Sequence, residues 1–300
     1  MSGPSRGDRV YIVDANNLTH KIFHGVPRDG HEAPDGRKLN AVIGWVRTLR
    51  KLRQTQGVRF MVPVFDGAGP TWRHEMLPDY KSGRHPHDQD LTDQWPLVRE
   101  LLDALGLGYV QVDSTEADDI IATLVDQAVA LELEVIVMSS DKDLHQLIQG
   151  PDRGPGSVRQ RADLRGDWSV LGPEHVRDKF GCAPARFGDL LALAGDRDDG
   201  IPGVPGFGFK TAASLLERYG DLETVLRRYD FNKSKRVRDL LSEHAESVRL
   251  YRKLVELHRV ELPDIIGNMQ SWVPRCRDLH SFFAQFGYPR FEAAVDAYQE

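Results

Sequence analysis

Short apolar runs recur along the first half of the chain, at residues 9–13 (RVYIV), 60–65 (FMVPVF), 109–112 (YVQV) and 134–138 (EVIVM). Each is too short for a helix and reads as a buried strand. Between them, apolar residues fall at helical spacing. Over 38–56 these are Leu39, Val42, Ile43, Val46, Leu49 and Leu52, and residues 92–105 and 117–131 repeat the pattern. Strands that alternate with helices predict a parallel sheet with crossover helices. Residues 150–156 (GPDRGPG) form a loop by composition, and the stretch 150–168 has no assignable role. Beyond it, strand signals fade and helical patterns follow at 173–180, 187–194, 211–218, 235–257 and 279–286. The expected architecture is an α/β domain over 1–170 and a helical subdomain over 171–300, with no internal repeat. Residues 69–93 join a strand end to a helix through a polar stretch with three prolines, Pro70, Pro78 and Pro86. A connection of that length is usually functional or mobile.

Composition adds limits. The 300 residues are 40% hydrophobic and 28% charged, ordinary for a globular chain. No apolar run is long enough to cross a membrane, and the N-terminus lacks a signal-peptide core. Cys182 and Cys276 are the two cysteines, with no CxxC pair, so free thiols in a reducing cytoplasm are expected and zinc is not. The net charge of −6 does not favour phosphate binding, but setting aside nine of the acids as metal ligands turns the balance to +3.

The acids carry the candidate chemistry. Asp14 and Asp66 directly follow strands, and Asp141 follows one after two serines. In an open parallel sheet, ligands bind beyond the carboxyl ends of the strands, so these three converge. Glu116 and Asp119 share a face at a helix start, Asp118 lies beside them, and Asp143 follows Asp141 by two. One such Asp is more often a turn residue or a helix cap. Seven at strand ends and first helical turns are not accounted for that way. Clustered carboxylates need a cation to stay ionised together. An oxygen-only set favours Mg²⁺ or Mn²⁺, and two such ions suit in-line attack on a phosphodiester. A glycine-rich turn, 203–212 (GVPGFGFKTA), precedes a helix. Its glycines, free N–H groups and Lys210 suit a phosphate, although a tight interhelical turn would look the same.

Six blocks occur in order: Asp14, 65–75 (FDGAGPTWRHE), 80–84 (YKSGR), 116–119 (EADD), 140–144 (SDKDL) and 195–212 (GDRDDGIPGVPGFGFKTA). Over about residues 9–290 the chain resembles the bacterial 5′–3′ exonuclease family. That family includes the N-terminal nuclease domain of DNA polymerase I, stand-alone exonucleases and, more distantly, flap endonucleases. The resemblance implies a PIN-like α/β domain, a helical arch within 69–93 and a helix–three-turn–helix region around 186–219. It implies two-metal hydrolysis of DNA at 5′ flaps, overhangs or frayed ends. Its metal ligands fall on Asp14, Asp66, Glu116, Asp118, Asp119, Asp141, Asp143, Asp196 and Asp199. Asp196 and Asp199 rest on the resemblance alone. Lys81 and Arg84 are implied to hold the scissile phosphate, Tyr80 to stack on a base, and Arg73 to stand near the reaction. Gly206, Phe207, Gly208, Phe209, Lys210 and Thr211 are implied to grip duplex phosphates. The backbone carbonyls of Leu193, Ala194, Pro202, Val204 and Phe207 are implied to hold K⁺. Ala15, Gly200 and Phe209 depart from what many relatives carry. Lys233, Lys235, Arg236 and Arg238 form either a solvated face or a backbone-binding stripe. A monomeric cytoplasmic enzyme is expected, either free-standing or a fragment of a larger polymerase. A PIN-type ribonuclease and a non-catalytic DNA-binding protein are the alternatives.

Overall fold

The computed structural model describes residues 3–84, 86, 88–162, 169–231 and 234–287. Five parallel strands form one sheet: β1 (Arg9–Asp14), β2 (Phe60–Phe65), β3 (Val110–Gln111), β4 (Glu134–Met138) and β5 (Val158–Arg161), in the order β3-β2-β1-β4-β5. Both faces are covered, which is why β1, β2 and β4 read as continuous apolar runs. Tyr11, Val13, Met61 and Met138 meet Trp45 and Leu49 on one face. Val10, Ile12, Val62 and Val137 meet Ile120 and Leu124 on the other. Helices Asn40–Gln56 and Gln94–Ala104 lie on the first side, and Ala117–Ala130 on the second.

The structure departs from the sequence reading at several points. Strand β5 lies in the stretch that had no assigned role, of which 163–168 fall outside the described residues. Its sequence, VRQR, is polar yet fully buried. Arg159 donates to the carbonyls of Gln149, Gly150, Asp152 and Val158. Those bonds satisfy a buried guanidinium without any apolar pattern. The helix Ala15–Gly25 follows β1 without a break, because the Asp14 side chain accepts from Asn17 N at 3.0 Å and caps it. The pattern over 92–105 is two helices, Gln89–Thr92 and Gln94–Ala104. Within 69–93 the described residues show only the short helices Trp72–Met76 and Gln89–Thr92, separated by a turn around Lys81.

Helices Pro173–Phe180, Phe187–Ala194, Phe209–Tyr219 and Lys235–Leu254 enclose a second core, built on Phe180, Phe187, Leu190, Leu216, Leu241 and Val248. The chain after Leu254 does not stay with them. Ile266 packs under the sheet, and Trp272, Leu279, Phe282, Phe283 and Phe286 join the other face. Trp272 fixes that return by donating N to Arg59 O at 2.7 Å and Nε1 to Leu105 O at 3.1 Å. Among the described residues no helix is long and apolar enough to cross a membrane.

Candidate metal and nucleic-acid site

The carboxyl ends of β1, β2 and β4 are in register, with Asp14 opposite Val64 and Val13 opposite Met138. Asp14, Asp66 and Asp141 therefore emerge at one sheet edge. A short polar frame aims them. Asp14 accepts from Asn17 N and, at 2.7 Å, from Ser139 Oγ. Asp66 accepts from Ala117 N at 2.8 Å, which ties β2 to the helix whose first turn carries Asp118. Asn16 Oδ1 accepts from Asp66 N, and Asn17 Oδ1 from Ser140 N. Gln160, on the unforeseen β5, donates to the carbonyls of Ser139 and Asp141. Sequence reasoning passed over Asn16, Asn17 and Gln160. The Asn-Asn pair directly after a strand was the available signal for the first two.

Asp14, Asp66, Glu116, Asp118 and Asp141 line one cavity of about 200 Å³, with Lys81 and Arg84 in its wall. Asp141 also lines a larger cleft of about 640 Å³ that continues to Asp143 and Asp199. Carboxylate oxygens of Asp143, Asp196 and Asp199 lie within 4.8 Å of one another. The arrangement is thus two adjoining lobes that share Asp141.

Burial, then the neighbouring charges of Asp66 and Asp141, pushes the Asp14 carboxyl from 3.8 up to about 7. Burial followed by Asp141 raises Asp118 and Asp143 as well, and burial raises Asp66. At Asp199 burial pushes upward too, but Lys81 and Arg84 outweigh it and hold the carboxyl below its usual value. Asp143 Oδ1 is buried with no hydrogen-bond partner. Repelling, under-satisfied carboxylate oxygens dominate both cavities, which His20 also lines, and fit a hard divalent cation.

Not every expected residue faces the lobes. Asp119 is 1% exposed, and both its oxygens are engaged. Arg73 binds it bidentately at 2.8 Å, Trp72 Nε1 donates at 3.2 Å, and His258 N at 2.9 Å. Arg73 is equally buried and also donates to Glu116 Oε2 and to the carbonyls of Leu254 and Glu256. It clamps the end of the long helix Lys235–Leu254 to the metal-side helix and presents no N–H to the cleft among these bonds. Tyr80 is buried in the helical core, and its single hydroxyl proton is shared between Asp199 at 3.0 Å and Glu116 at 3.2 Å. In this conformation its ring is not open to a base, contrary to the expectation of stacking. Lys81, at φ +58°, ion-pairs with Glu116 at 2.8 Å, and Arg84 pairs with Asp199 at 2.6 Å.

Asp196 and Asp199 ride on a tight hairpin closed by reciprocal 2.7 Å bonds between Asp196 and Ile201. Gly195 and Gly203, both at positive φ, let its two ends touch; a Cβ at Gly203 would lie 2.3 Å from Gly195 N. The hairpin runs straight into the glycine-rich turn. Ala194, Pro202, Val204, Gly206, Phe207, Gly208 and Phe209 line one open cleft beside it. Leu193 is fully buried, and its carbonyl already accepts from Val204 N at 2.9 Å. Gly208 caps the helix Phe209–Tyr219, and Lys210 in its first turn is exposed. Arg236 reaches the same turn, since a Cβ on Gly206 would meet its guanidinium at 2.8 Å. Lys233 lies outside the described residues.

A parallel α/β sheet whose strand ends deliver carboxylates into paired lobes, with basic side chains above them, defines a metal-dependent phosphodiester hydrolase. Residues 9–181 match the family model for the 5′-3′ exonuclease N-terminal resolvase-like domain, and residues 182–267 the model for the 5′-3′ exonuclease C-terminal SAM fold. The chain belongs to the 5′–3′ exonuclease family. It is 34% identical over 280 residues to the thermostable DNA polymerase I of Thermus thermophilus, covering 93% of this chain and 32% of that protein. To DNA polymerase I of Bacillus subtilis it is 34% identical over 249 residues, 83% of this chain and 28% of the relative. The chain thus spans about a third of the length of the curated relatives it matches. The phage T5 D15 protein co-crystallised with metal ions shares the fold, with a TM-score of 0.70 at 19% identity over 93% of this chain and 98% of that one. So does the catalytic core of Rad2 in complex with DNA substrate, with a TM-score of 0.64 at 20% identity over 98% and 95%.

Proposed function

We propose that the protein is a structure-specific 5′-nuclease that hydrolyses DNA phosphodiesters near 5′ ends or flap junctions with two divalent ions. The observation that carries this reading is the pair of carboxylate lobes sharing Asp141, joined through the 195–203 hairpin to the glycine-rich turn. Asp14, Asp66, Glu116, Asp118 and Asp141 would hold one Mg²⁺, and Asp141, Asp143, Asp196 and Asp199 the other, with Mn²⁺ as a substitute. When bound, these ions supply Lewis acidity toward the phosphate and lower the pKa of the attacking water.

The chain's own groups do the rest. Lys81 and Arg84 leave their carboxylates and hold the scissile phosphate, which places positive charge where the transition state gathers negative charge. Arg73 and Asp119 orient Glu116 and keep the metal-side helix fixed to the helical region, so both are proposed as positioning residues. Gly206–Thr211, with Lys210 and Arg236, grips the duplex backbone, which favours shape over base sequence. A K⁺ among the carbonyls of Leu193, Ala194, Pro202, Val204 and Phe207 would draw phosphate to that turn. The reading makes the enzyme a monomer that works on DNA in the cytoplasm, in replication and repair. The known structure of the Rad2 core with DNA substrate supports the assignment of partner.

The test is cleavage of a 5′-end-labelled flap duplex, next to blunt DNA and an RNA flap, in Mg²⁺ and in EDTA. The flap should be cut only with metal and in preference to both other substrates. Asp14→Asn combined with Asp141→Asn should bind the flap without cutting it. Preferred cleavage of the RNA flap would favour a ribonuclease, and binding without any cleavage a DNA-binding protein. Full activity in the double variant would sink the mechanism.

A further inference from the structure

The second lobe brings a cation of its own. Lys142 lies between Asp141 and Asp143 in sequence, and its ammonium is 2.6 Å from Asp196 Oδ2. It is also 3.9 Å from Asp143 Oδ1 and 3.9 Å from Asp198 Oδ2. Because the oxygens of Asp143, Asp196 and Asp199 are already within 4.8 Å of one another, an ammonium at this point and a divalent ion contend for the same carboxylates. Arg73 and Lys142 are held in different ways. Arg73 is 3% exposed at its side chain and locked by five hydrogen bonds, whereas the Lys142 side chain is 29% exposed and has one close partner, Asp196. An ion pair on a flexible four-carbon stem, open to water, is displaceable. Lys142 also lines both the carboxylate cleft and the cleft of the glycine-rich turn, so a displaced side chain has solvent to move into.

We propose that Lys142 is a tethered counter-cation: it balances Asp143 and Asp196 of the second lobe until a divalent ion displaces it, and so sets that lobe's metal affinity. The proposal rests on the reading that this lobe takes a divalent ion. Removing the charge has two opposite effects. The metal-free protein is left with mutually repelling carboxylates and loses stability, while the incoming ion no longer has a competitor and binds more tightly.

The experiment is a calorimetric Mn²⁺ titration of the full chain without DNA, for the wild type, Lys142→Met and Lys142→Arg, with melting curves in EDTA and in saturating Mn²⁺. Lys142→Met should tighten one of the two Mn²⁺ sites by about tenfold, and Lys142→Arg should stay within about threefold of the wild type. In EDTA, Lys142→Met should melt below the wild type, and Mn²⁺ should close the gap. Lys142→Gln replaces Lys142→Met should the latter not fold. Unchanged or weaker Mn²⁺ binding by a folded Lys142→Met overturns the proposal, because Lys142 would then be holding the ligands in place. A wild type that binds no Mn²⁺ overturns the metal reading itself, and with it the proposal.

Discussion

Replacing Asp14 with Asn should abolish cleavage and, in EDTA, make the protein more stable. Burial and the charges of Asp66 and Asp141 hold the Asp14 carboxyl at about 7 in the folded protein, against 3.8 in the unfolded chain. Below about pH 4 both states carry the proton and the site costs nothing. As pH rises toward 7 the unfolded chain ionises first, so the metal-free folded state loses stability through that window; above it the full cost is present. At 1.36 kcal/mol per pH unit the cost reaches about 4 kcal/mol. Asparagine has the same shape without the charge, but it keeps one acceptor oxygen where the carboxylate serves both Asn17 N and Ser139 Oγ. Losing one of those bonds offsets about 1 kcal/mol. The net gain at pH 8 is then about 1–3 kcal/mol. Urea unfolding in EDTA at pH 5 and pH 8 reads it directly, and the gap between variant and wild type should shrink at the lower pH. With Mg²⁺ the order should reverse, because only the intact site gains binding energy from the ion. A variant less stable than the wild type at pH 8 in EDTA, or a gap that ignores pH, would refute the reasoning.

Four further outcomes follow from the geometry. Arg73→Met should cost about 3–5 kcal/mol in urea unfolding, because it strands the buried Asp119 carboxylate; Arg84→Met, whose side chain is 49% exposed, should cost under about 1 kcal/mol while slowing cleavage. Gly203→Ala should destabilise by about 2 kcal/mol or more and weaken Mn²⁺ binding, since φ is +67° and its Cβ would strike Gly195. Lys210→Ala should weaken flap binding in Ca²⁺, with anisotropy titrations over a KCl series showing a salt slope lower by about 1.

The strands that carry Asp14, Asp66 and Asp141 were legible because both faces of the sheet are buried, so their apolar runs are unbroken. The same logic hid β5, where Arg159, Gln160 and Arg161 donate to backbone carbonyls and leave no apolar trace. Within 116–119 the sequence offers three acids but not their directions. Glu116 and Asp119 do share a face, as their spacing says, but what meets that face is Arg73, over forty residues away. Asp118 and Glu116 line the cavity, and Asp119 does not. For Tyr80 the family resemblance implied a ring stacked on a base, and only the tertiary packing shows it inside the helical core. The hairpin that brings Asp196 and Asp199 to the sheet was visible only through family resemblance, since neither residue sits at a strand end.

The division of the nine acids into ligands and one structural carboxylate is best tested by anomalous diffraction from crystals soaked in Mn²⁺. Two peaks are expected, one among Asp14, Asp66, Glu116, Asp118 and Asp141, the other among Asp141, Asp143, Asp196 and Asp199, with Asp119 still on Arg73. No peak in either lobe, or a manganese ion bound through Asp119, would contradict the account.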